Sequence, residues 1–367
     1  MKNNLIIFVD AYPWFYRNLI KNELPEDMNI SSLKPTFGFS INQKALLFSG
    51  KYPDEIGYFN EWRVSEKSPS KTQKIISKIL PFIPPKVEGF LHKLYNKIFG
   101  LNYYRIPFGM KEYWSRNPTE VYNRDSIDKS VFTEHNYSRI LYSDFKVNNR
   151  DEAVFNELNN RIDNGDLAEN TIVTLAECDQ RLHLTGGLGK GGENVARYYA
   201  NKIGEISRKY VSKYPLANLI VLSDHGMSNV NQGVNIQLEK MFTSCSYDTF
   251  LYFIDATMLR LWFYNSELQN KILTYLRNHN DLEEVTENTR EQFKITNSSF
   301  GEFIFTVNSD TKVFEPNFYG RKRVNGMHGY IPKYESQLGV FISNLKNKTD
   351  AINAKEAFEI IKSCSDA

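Results

Sequence analysis

The sequence predicts an α/β fold in which one large domain is built around a mostly parallel sheet. Three apolar runs each lead to acidic or histidine residues: 5–9 ends at Asp10, 171–175 leads to Asp179, and 219–222 leads to Asp224 and His225. Buried parallel strands have this apolar character, and the loops after them collect functional groups at one edge of the sheet. The 367 residues are too many for one simple core, so the domain is expected to carry insertions.

The predicted core elements alternate between strand and helix. The first strand runs to Asp10, a helix follows to Leu24, and a second helix begins at Ser40 before a turn at 51–54. The alternation resumes after residue 137. It continues with strands at 139–142, 171–175 and 219–222, helices near 150–162 and 193–210, and a final strand and helix at 338–342 and 354–361.

Two segments interrupt this alternation. Residues 63–137 change in composition to Lys, Ser, Pro and aromatic residues, which predicts an inserted cap. Residues 236–325 contain strand-like runs at 251–254 and 259–263 and a helical stretch at 267–276, which predicts a small α+β subdomain. The remaining residues, 1–62, 138–235 and 326–367, form the predicted catalytic core.

Six candidate metal ligands stand at strand ends or beside glycines. They are Asp10, Asp179, His183, Asp224, His225 and His328. Carboxylate oxygen and imidazole nitrogen together suit zinc and, less tightly, manganese or iron. One ion would not use all six side chains, so the pattern predicts a two-metal site. The other three histidines of the chain lack such settings and are expected at the surface or in packing.

Five motifs occur in a fixed order: Val9-Asp10, Ser49 to Pro53 with Gly57, Asp179 to His183 with Gly186, Ser223 to Met227, and Gly326 to Tyr330. This order resembles the alkaline phosphatase superfamily, and within it the type I phosphodiesterase/nucleotide pyrophosphatase branch. The resemblance implies a three-layer α/β/α sandwich with two divalent ions, zinc or manganese. It also implies that one ion is held by Asp179, His183 and His328, and the other by Asp10, Asp224 and His225.

The resemblance also implies a Thr or Ser nucleophile about nine residues before a Thr/Ser-Gly pair, and counting back from Ser49 reaches Ser40. Ser40 precedes a helical stretch, and helix N-termini favour phosphate. Two alternatives stay open. Thr36, between Pro35 and Phe37, resembles the family's nucleophile motif in its local sequence, and Ser40 could be a plain helix N-cap.

Asn60 approximately matches an asparagine that, in the resemblance, donates a hydrogen bond to a nonbridging phosphoryl oxygen. Taken alone it would be an ordinary turn residue. Three positions depart from the family pattern: Ile56 replaces a histidine, Cys178 precedes Asp179, and Leu182 replaces a glycine. None of these is a candidate ligand, but each flanks the predicted site and bears on the choice of substrate.

The predicted function is metal-dependent hydrolysis of a phosphodiester or nucleotide pyrophosphate bond through a phosphoserine at Ser40. The negative charge of a phosphodiester resists nucleophilic attack, and two cations neutralise that charge. The expected substrate is a small-molecule phosphoester, either a nucleotide or a lipid-linked compound. The alternatives are a phosphomonoesterase or phosphotransferase on the same site, and a non-catalytic metal-containing binding protein.

Composition sets the expected surroundings. The net charge of +2 gives no basis for a stable nucleic-acid partner, and none is expected. The three cysteines are widely spaced, and the first apolar run passes straight into Asp10 without the features of a signal peptide, so a cytoplasmic location is expected. Residues 71–112 carry eight Lys or Arg against two Glu, which predicts a helical lid or, as the alternative, contact with a membrane surface.

Overall fold

The computed structural model describes residues 3–66, 106–117, 130–318, 324–346 and 349–366, together with residues 70, 71, 75, 87, 90, 91 and 94. Most of the segment 71–112, for which a lid or a membrane-surface contact is predicted, lies outside the described residues. Within the described ranges, no helix combines the length and the apolar character that a bilayer crossing needs.

The described strands are β1 (Asn4–Val9), β2 (Asn29–Lys34), β3 (Trp62–Val64), β4 (Trp114–Arg116), β5 (Ser138–Leu141), β6 (Asn170–Leu175), β7 (Asn218–Leu222), β8 (Ser228–Asn229), β9 (Gln232–Val234), β10 (Phe250–Ile254), β11 (Met258–Phe263), β12 (Leu282–Glu284), β13 (Phe303–Val307), β14 (Lys312–Phe314), β15 (Gly326–Met327), β16 (Gly339–Ser343) and β17 (Ala351–Asn353). The described α-helices are α1 (Arg17–Lys21), α2 (Ser40–Ser49), α3 (Pro53–Ile56), α4 (Val131–Glu134), α5 (Arg150–Asn164), α6 (Glu177–Thr185), α7 (Lys190–Lys213), α8 (Leu238–Met241), α9 (Ser266–Arg277), α10 (Glu287–Phe293) and α11 (Ala354–Asp366).

The chain forms two compact units. The first comprises Met1–Tyr52, Pro118–Val230 and Val324–Ala367. Its sheet has the strand order β17-β2-β16-β7-β1-β6-β5. β1 is parallel to both β6 and β7, β5 is parallel to β6, and β16 alone runs antiparallel to its two neighbours. The predicted mostly parallel sheet is therefore confirmed, and the carboxyl ends of its parallel strands share one edge.

Helices cover both faces of this sheet. β1 is buried along its whole length, as expected for a central strand with helices on either side. Leu5 and Ile7 face a core that α5 and α7 complete, and α7 presents a buried stripe with helical spacing. On the opposite face, the ring of Phe8 meets that of Phe48 from α2 at 5.4 Å between centroids. The three-layer α/β/α sandwich is therefore confirmed.

Some elements of the first unit differ from the sequence prediction. The helix expected to reach Leu24 is a short 3-10 turn at Trp14–Tyr16 followed by α1, which ends at Lys21. β2 was not predicted, because its sequence Asn-Ile-Ser-Ser-Leu-Lys lacks a clear apolar pattern and it becomes a strand by pairing with β16. α6 was also not predicted, and it contains Asp179, which was expected in a loop.

The second unit comprises Pro53–Asn117 and Asn231–Arg323. Its main sheet is antiparallel, with the order β10-β11-β13-β12, and two small sheets pair β3 with β4 and β9 with β14. β10, β11 and α9 lie within one residue of their predicted ranges at each end. Aromatic rings fill the core: Trp114 lies 5.0 Å from Phe253 and 5.4 Å from Trp262 between centroids.

Candidate metal centre

Two carboxylates are placed together by neighbouring parallel strands. Asp10 directly follows β1, Asp224 comes two residues after β7, and Phe8 is paired in register with Leu222. The two side chains therefore emerge at the same edge of the sheet. The backbone N–H of Ala11 donates to Asp224 Oδ1 at 3.3 Å, which fixes one carboxylate against the other strand. Asp224 is fully buried.

Helix α6 supplies two further candidate ligands. Asp151 begins this helix by accepting hydrogen bonds from the backbone N–H groups of Ala176 and Glu177, at 3.0 and 2.9 Å. Asp179 and His183 are one turn apart on α6, so both lie on one face, with His183 Nε2 at 3.3 Å from Asp179 Oδ1. His183 Nδ1 lies 2.8 Å from the carbonyl oxygen of Gly326. That carbonyl can only accept, so Nδ1 carries the proton and Nε2 presents a lone pair.

Two histidines complete the cluster. The rings of His225 and His328 are stacked, with centroids 3.7 Å apart and planes 11° from parallel. His225 Nε2 lies 3.4 Å from Asp10 Oδ1 and 3.5 Å from Asp224 Oδ2. Its Nδ1 lies 2.9 Å from the carbonyl oxygen of Gly226, which leaves Nε2 as the ligand atom. His328 Nε2 lies 3.5 Å from Asp179 Oδ1.

The described residues form two groups that could each hold a cation. In each group the ligand atoms lie within 4.8 Å of one another: Asp10, Asp224 and His225 in one, and Asp179, His225 and His328 in the other. The first group has the three residues predicted for one ion. The second has two of the three predicted for the other ion, with His225 in the place of His183, which lies beside Asp179 instead. All six predicted ligands are therefore brought together.

Unsatisfied oxygen atoms show that the cluster suits a cation. Asp10 Oδ1, Asp179 Oδ1 and Asp224 Oδ2 are buried and make no hydrogen bond to any residue that the structure describes. Buried carboxylate oxygens normally have a hydrogen-bond donor or a positive partner, because their desolvation is costly. Hard oxygen ligands converging with imidazole nitrogens are the donor set that zinc takes, and manganese is compatible with it. The residues present therefore fit the two predicted ions.

Protonation of the cluster reflects the same crowding. Burial, together with the negative charge of Asp10, raises the pKa of Asp224 to about 7. Burial opposes the charging of His225, but the charges of Asp224 and Asp10 outweigh it and raise the pKa of His225 to about 9. Burial and the neighbouring charges of His225 and His183 hold the pKa of His328 well below its usual value. Without a cation, protons on Asp224 and His225 therefore offset part of the negative charge of the cluster.

The hydroxyl of Ser40 faces this cluster. Ser40 Oγ lies 3.0 Å from His225 Nε2, at the first residue of α2. The N-cap residue of α2 is Phe39, which makes no side-chain cap hydrogen bond, so Ser40 is not the helix cap. The hydroxyl therefore meets a candidate metal ligand directly.

The rival hydroxyl has a different environment. Thr36 is buried, and its Oγ1 has no hydrogen-bond partner among the residues in the described ranges. Gln43 clamps its backbone from both sides, accepting from Thr36 N–H at 2.8 Å and donating to the Thr36 carbonyl oxygen at 2.7 Å. These contacts of Thr36 hold the backbone that precedes α2 against the helix.

Asn60 lies in the second unit, fully buried and with a positive φ of 59°. Its Nδ2 lies 3.6 Å from the sulfur of Met258, and its carbonyl oxygen accepts from Asn117 Nδ2 at 3.1 Å. Burial raises the pKa of Asp255 to about 6 in spite of Arg260, and a hydrogen bond from Asn60 acts in the opposite direction. The contact with a phosphoryl oxygen stays a prediction.

One site residue was missed from the sequence. Lys44 Nζ lies 2.9 Å from Asp10 Oδ2, inside the cluster. A signal was available, because Lys44 follows Ser40 by four residues and positions i and i+4 share a helix face. Burial would raise the pKa of Asp10, but the charge of Lys44, followed by contact with His225, lowers it below its usual range.

Comparison with solved structures identifies the fold of this chain. Murine ectonucleotide pyrophosphatase/phosphodiesterase 5 matches with a TM-score of 0.65 and 13% identity, covering 100% of this chain and 95% of that one. The human protein of the same name matches with a TM-score of 0.64 at 13% identity and the same coverage. The chain has the ectonucleotide pyrophosphatase/phosphodiesterase fold.

An inactive variant of the murine ectonucleotide pyrophosphatase/phosphodiesterase, in complex with AMP, matches with a TM-score of 0.63 over the same coverage, again at 13% identity. No protein-family profile and no curated protein sequence matches this chain. The matches to solved structures nevertheless confirm, at the level of the fold, the alkaline-phosphatase-like resemblance drawn from the five motifs.

Proposed function

We propose that this protein hydrolyses a phosphodiester or nucleotide pyrophosphate bond with the help of two divalent metal ions. The observation that carries the proposal is a set of three buried carboxylate oxygens, on Asp10, Asp179 and Asp224, that make no hydrogen bond to the described residues and converge with imidazole nitrogens and the Ser40 hydroxyl in one cluster. A purely structural cluster would join these oxygens to donors by hydrogen bonds, whereas oxygens and imidazole nitrogens that converge without such bonds are arranged as ligands of a cation. The fold likeness supports the same class of reaction.

Each ion has its own proposed ligands. Asp10, Asp224 and His225 would hold one, and Asp179, His183 and His328 the other. Zinc is the proposed metal, with manganese as the alternative. When bound, such ions neutralise phosphoryl charge and lower the pKa of a hydroxyl or a water molecule. The backbone carbonyls of Gly226 and Gly326 fix the imidazole tautomers that metal binding requires, on His225 and His183.

Ser40 is the proposed nucleophile. Its Oγ would lose its proton to solvent and form a bond to phosphorus while the bond from phosphorus to the leaving oxygen breaks, and that oxygen takes a proton from water. The phosphoryl group, which keeps its other ester bond, stays on Ser40 as a phosphoserine. Water then attacks the same phosphorus and gives up a proton while the bond to Ser40 Oγ breaks, and Oγ regains a proton. The position at the start of α2 also suits a phosphoryl group, because the N-terminal N–H groups of a helix favour anions. Two successive displacements retain the configuration at phosphorus.

The proposed substrate is a small nucleotide-type phosphoester. The support is the complex of the structurally similar murine protein with AMP. The lipid-linked alternative has its sequence basis in residues 71–112, most of which lie outside the described residues. The nucleotide class is therefore the one to assay first.

The test combines metal analysis with hydrolysis of two model substrates. We expect purified protein to contain zinc or manganese and to hydrolyse bis(p-nitrophenyl) phosphate faster than p-nitrophenyl phosphate. Ser40→Ala should lower kcat for the diester by about 10³-fold or more, because the covalent route is lost. Thr36→Ala should keep most of the activity. Ser49→Ala is the matched control, since the described hydrogen bond of the Ser49 hydroxyl stays within the same helix, to the Ala45 carbonyl oxygen at 2.6 Å.

Each contrary result has a distinct meaning. Full activity of Ser40→Ala with loss in Thr36→Ala would move the nucleophile to Thr36. A preference for the monoester would favour a phosphomonoesterase or phosphotransferase on the same site. Metal-loaded protein that hydrolyses neither substrate, nor a dinucleotide or nucleotide pyrophosphate, would leave a non-catalytic binding protein.

A further inference from the structure

Lys44 forms an ion pair with Asp10 in the candidate metal centre. Its Nζ lies 2.9 Å from Asp10 Oδ2, and the exposed fractions of the two side chains are only 13% and 9%. The other oxygen of the same carboxylate, Oδ1, is buried without a hydrogen bond. Lys44 therefore takes one oxygen of Asp10 and leaves the other directed at the cluster, 3.4 Å from His225 Nε2.

The same lysine is on the helix that carries the hydroxyl. Ser40 and Lys44 are one turn apart on α2, so they lie on the same face. Ser40 Oγ contacts His225 Nε2, and that nitrogen in turn lies beside Asp10. The contacts thus form a ring: Ser40 contacts His225, His225 contacts Asp10, Asp10 pairs with Lys44, and α2 joins Lys44 to Ser40.

The positive charge of Lys44 also offsets the negative charge of two neighbouring carboxylates. Asp10 and Asp224 lie close enough to share one cation, and both are buried. Two buried carboxylates repel each other strongly in a medium of low dielectric constant. The stem of Lys44 reaches them past the ring of Phe8, with Nζ 5.2 Å from the ring centroid, so the ammonium group is partly shielded from solvent.

We propose that Lys44 is a positioning residue and a built-in counter-ion of the metal centre. In the metal-free protein it offsets the charge of Asp10, and in the loaded protein it restricts Asp10 to one metal-facing oxygen and keeps α2, with Ser40, in register with that ligand. This role rests on the proposed function for its catalytic half. Its electrostatic half can be tested without any substrate.

The test compares Lys44→Met, Lys44→Arg and a matched control. Methionine keeps an apolar stem beside Phe8 and removes the charge, whereas arginine keeps the charge on a different geometry. The control is Lys355→Met. Lys355 also holds α2 from outside, donating to the carbonyl oxygen of Gly50 at 2.8 Å, but it contacts the opposite end of the helix from Ser40.

Two readouts separate the two halves of the role. In EDTA, we expect Lys44→Met to lower the thermal midpoint by about 3 °C or more, and addition of Zn²⁺ or Mn²⁺ to raise that midpoint further than it does in the wild type. The metal then replaces the missing positive charge. With metal bound, kcat for bis(p-nitrophenyl) phosphate should fall about 10- to 100-fold while metal content is retained. Lys44→Arg should recover the metal-free stability and part of kcat.

The proposal would be overturned if Lys44→Met matched Lys355→Met in metal-free stability, in the response to metal and in kcat. Loss of bound metal in Lys44→Met would equally contradict it, since a counter-ion competes with the metal and its removal should not weaken binding. If wild type and Lys355→Met both fail to hydrolyse any phosphoester, the proposed function fails. The comparison of midpoints with and without metal would still test the counter-ion role.

Discussion

Polar side chains of three neighbouring strands are hydrogen-bonded to one another at one end of the strands, and those described at the other end are not. At the amino end of β1, β6 and β7, Asn4 donates to Asn170 Oδ1 at 2.7 Å and accepts from Asn218 Nδ2 at 2.8 Å, so neutral amides satisfy one another across the sheet. At the carboxyl end, Asp10 and Asp224 keep buried oxygens without a hydrogen bond. The amide end joins the strands, and the carboxylate end is left in need of a cation.

This difference distinguishes a structural polar cluster from a functional one. Both ends use polar residues at the end of apolar strands, and Asn4, Asp10 and Asp224 are all buried. The amide end is complete within the protein, which makes its hydrogen bonds stabilising. The carboxylate end depends on Lys44 and on bound protons to offset its negative charge, and a cation that binds there can replace those protons. Unsatisfied groups, more than polarity or burial, mark the site.

The largest expected effect comes from making the carboxylate end neutral like the amide end. Asp224→Asn keeps an acceptor for Ala11 N–H but removes a charged ligand, so we expect kcat for a phosphodiester to fall about 10³-fold or more. The metal-free protein should be at least as stable as the wild type, while the rise in thermal midpoint on adding Zn²⁺ should be clearly smaller, because one of the two proposed sites loses a ligand. Activity assays and thermal scans with and without EDTA measure both.

The matched control is Asp163→Asn. Asp163 is an exposed carboxylate on α5 that pairs with Lys209 at 2.8 Å. Its loss should change stability by no more than about 0.5 kcal/mol and leave activity intact. A metal response in Asp224→Asn equal to that of the wild type would contradict the assignment of Asp224 as a ligand.

A smaller effect is expected from breaking the amide end. Asn4→Ala leaves the Asn170 and Asn218 side chains without their partner, and we expect it to lower the free energy of unfolding by about 2–3 kcal/mol. Activity per folded molecule should be unchanged, because Asn4 is at the far end of β1 from Asp10. Urea unfolding and kcat at a permissive temperature measure the two quantities.

Asn201→Ala serves as the control for that experiment, since Asn201 is exposed on α7 and should tolerate the change within about 0.5 kcal/mol. A drop in kcat for folded Asn4→Ala, without loss of stability, would show that the two ends are not separate in function.

The smallest effect is a pH dependence confined to the carboxylate end. In the metal-free protein the pKa of Asp224 is raised from 3.8 to about 7 and that of His225 from 6.5 to about 9. Raised values mean that the folded state binds these protons more tightly than the unfolded state, so their contribution is lost as pH rises through 7 and 9. We expect the free energy of unfolding in EDTA to fall by about 1–2 kcal/mol between pH 6.5 and 9.

Asp224→Asn should reduce that fall, and saturating Zn²⁺ should remove it, because the metal takes the place of the protons. Urea titrations at several pH values test this. If the metal-free protein became more stable between pH 6.5 and 9, the predicted direction of the pH dependence would be wrong.

Strand-end positions made part of this site predictable. The apolar runs before Asp10 and Asp224 were sufficient to locate both residues, because strand and ligand are adjacent in the sequence. The place of Asp179 in a helix was not predictable in the same way. α6 begins where Asp151, 25 residues before Ala176, accepts its first N–H groups, and that contact depends on the folded chain.

Contacts between distant segments explain what the sequence left unpredicted. The hydrogen bonds of Asn4 require the strand order β7-β1-β6, which periodicity does not specify. Lys44 was overlooked because a lysine on a helix is ordinarily solvated, and only the folded arrangement brings it to Asp10. β2 has a weak pattern of its own and is a strand because β16 supplies its partner.

His225 contributes to both groups of candidate ligands. Loss of this one imidazole would therefore affect both proposed ions at once, so the two sites have a component in common.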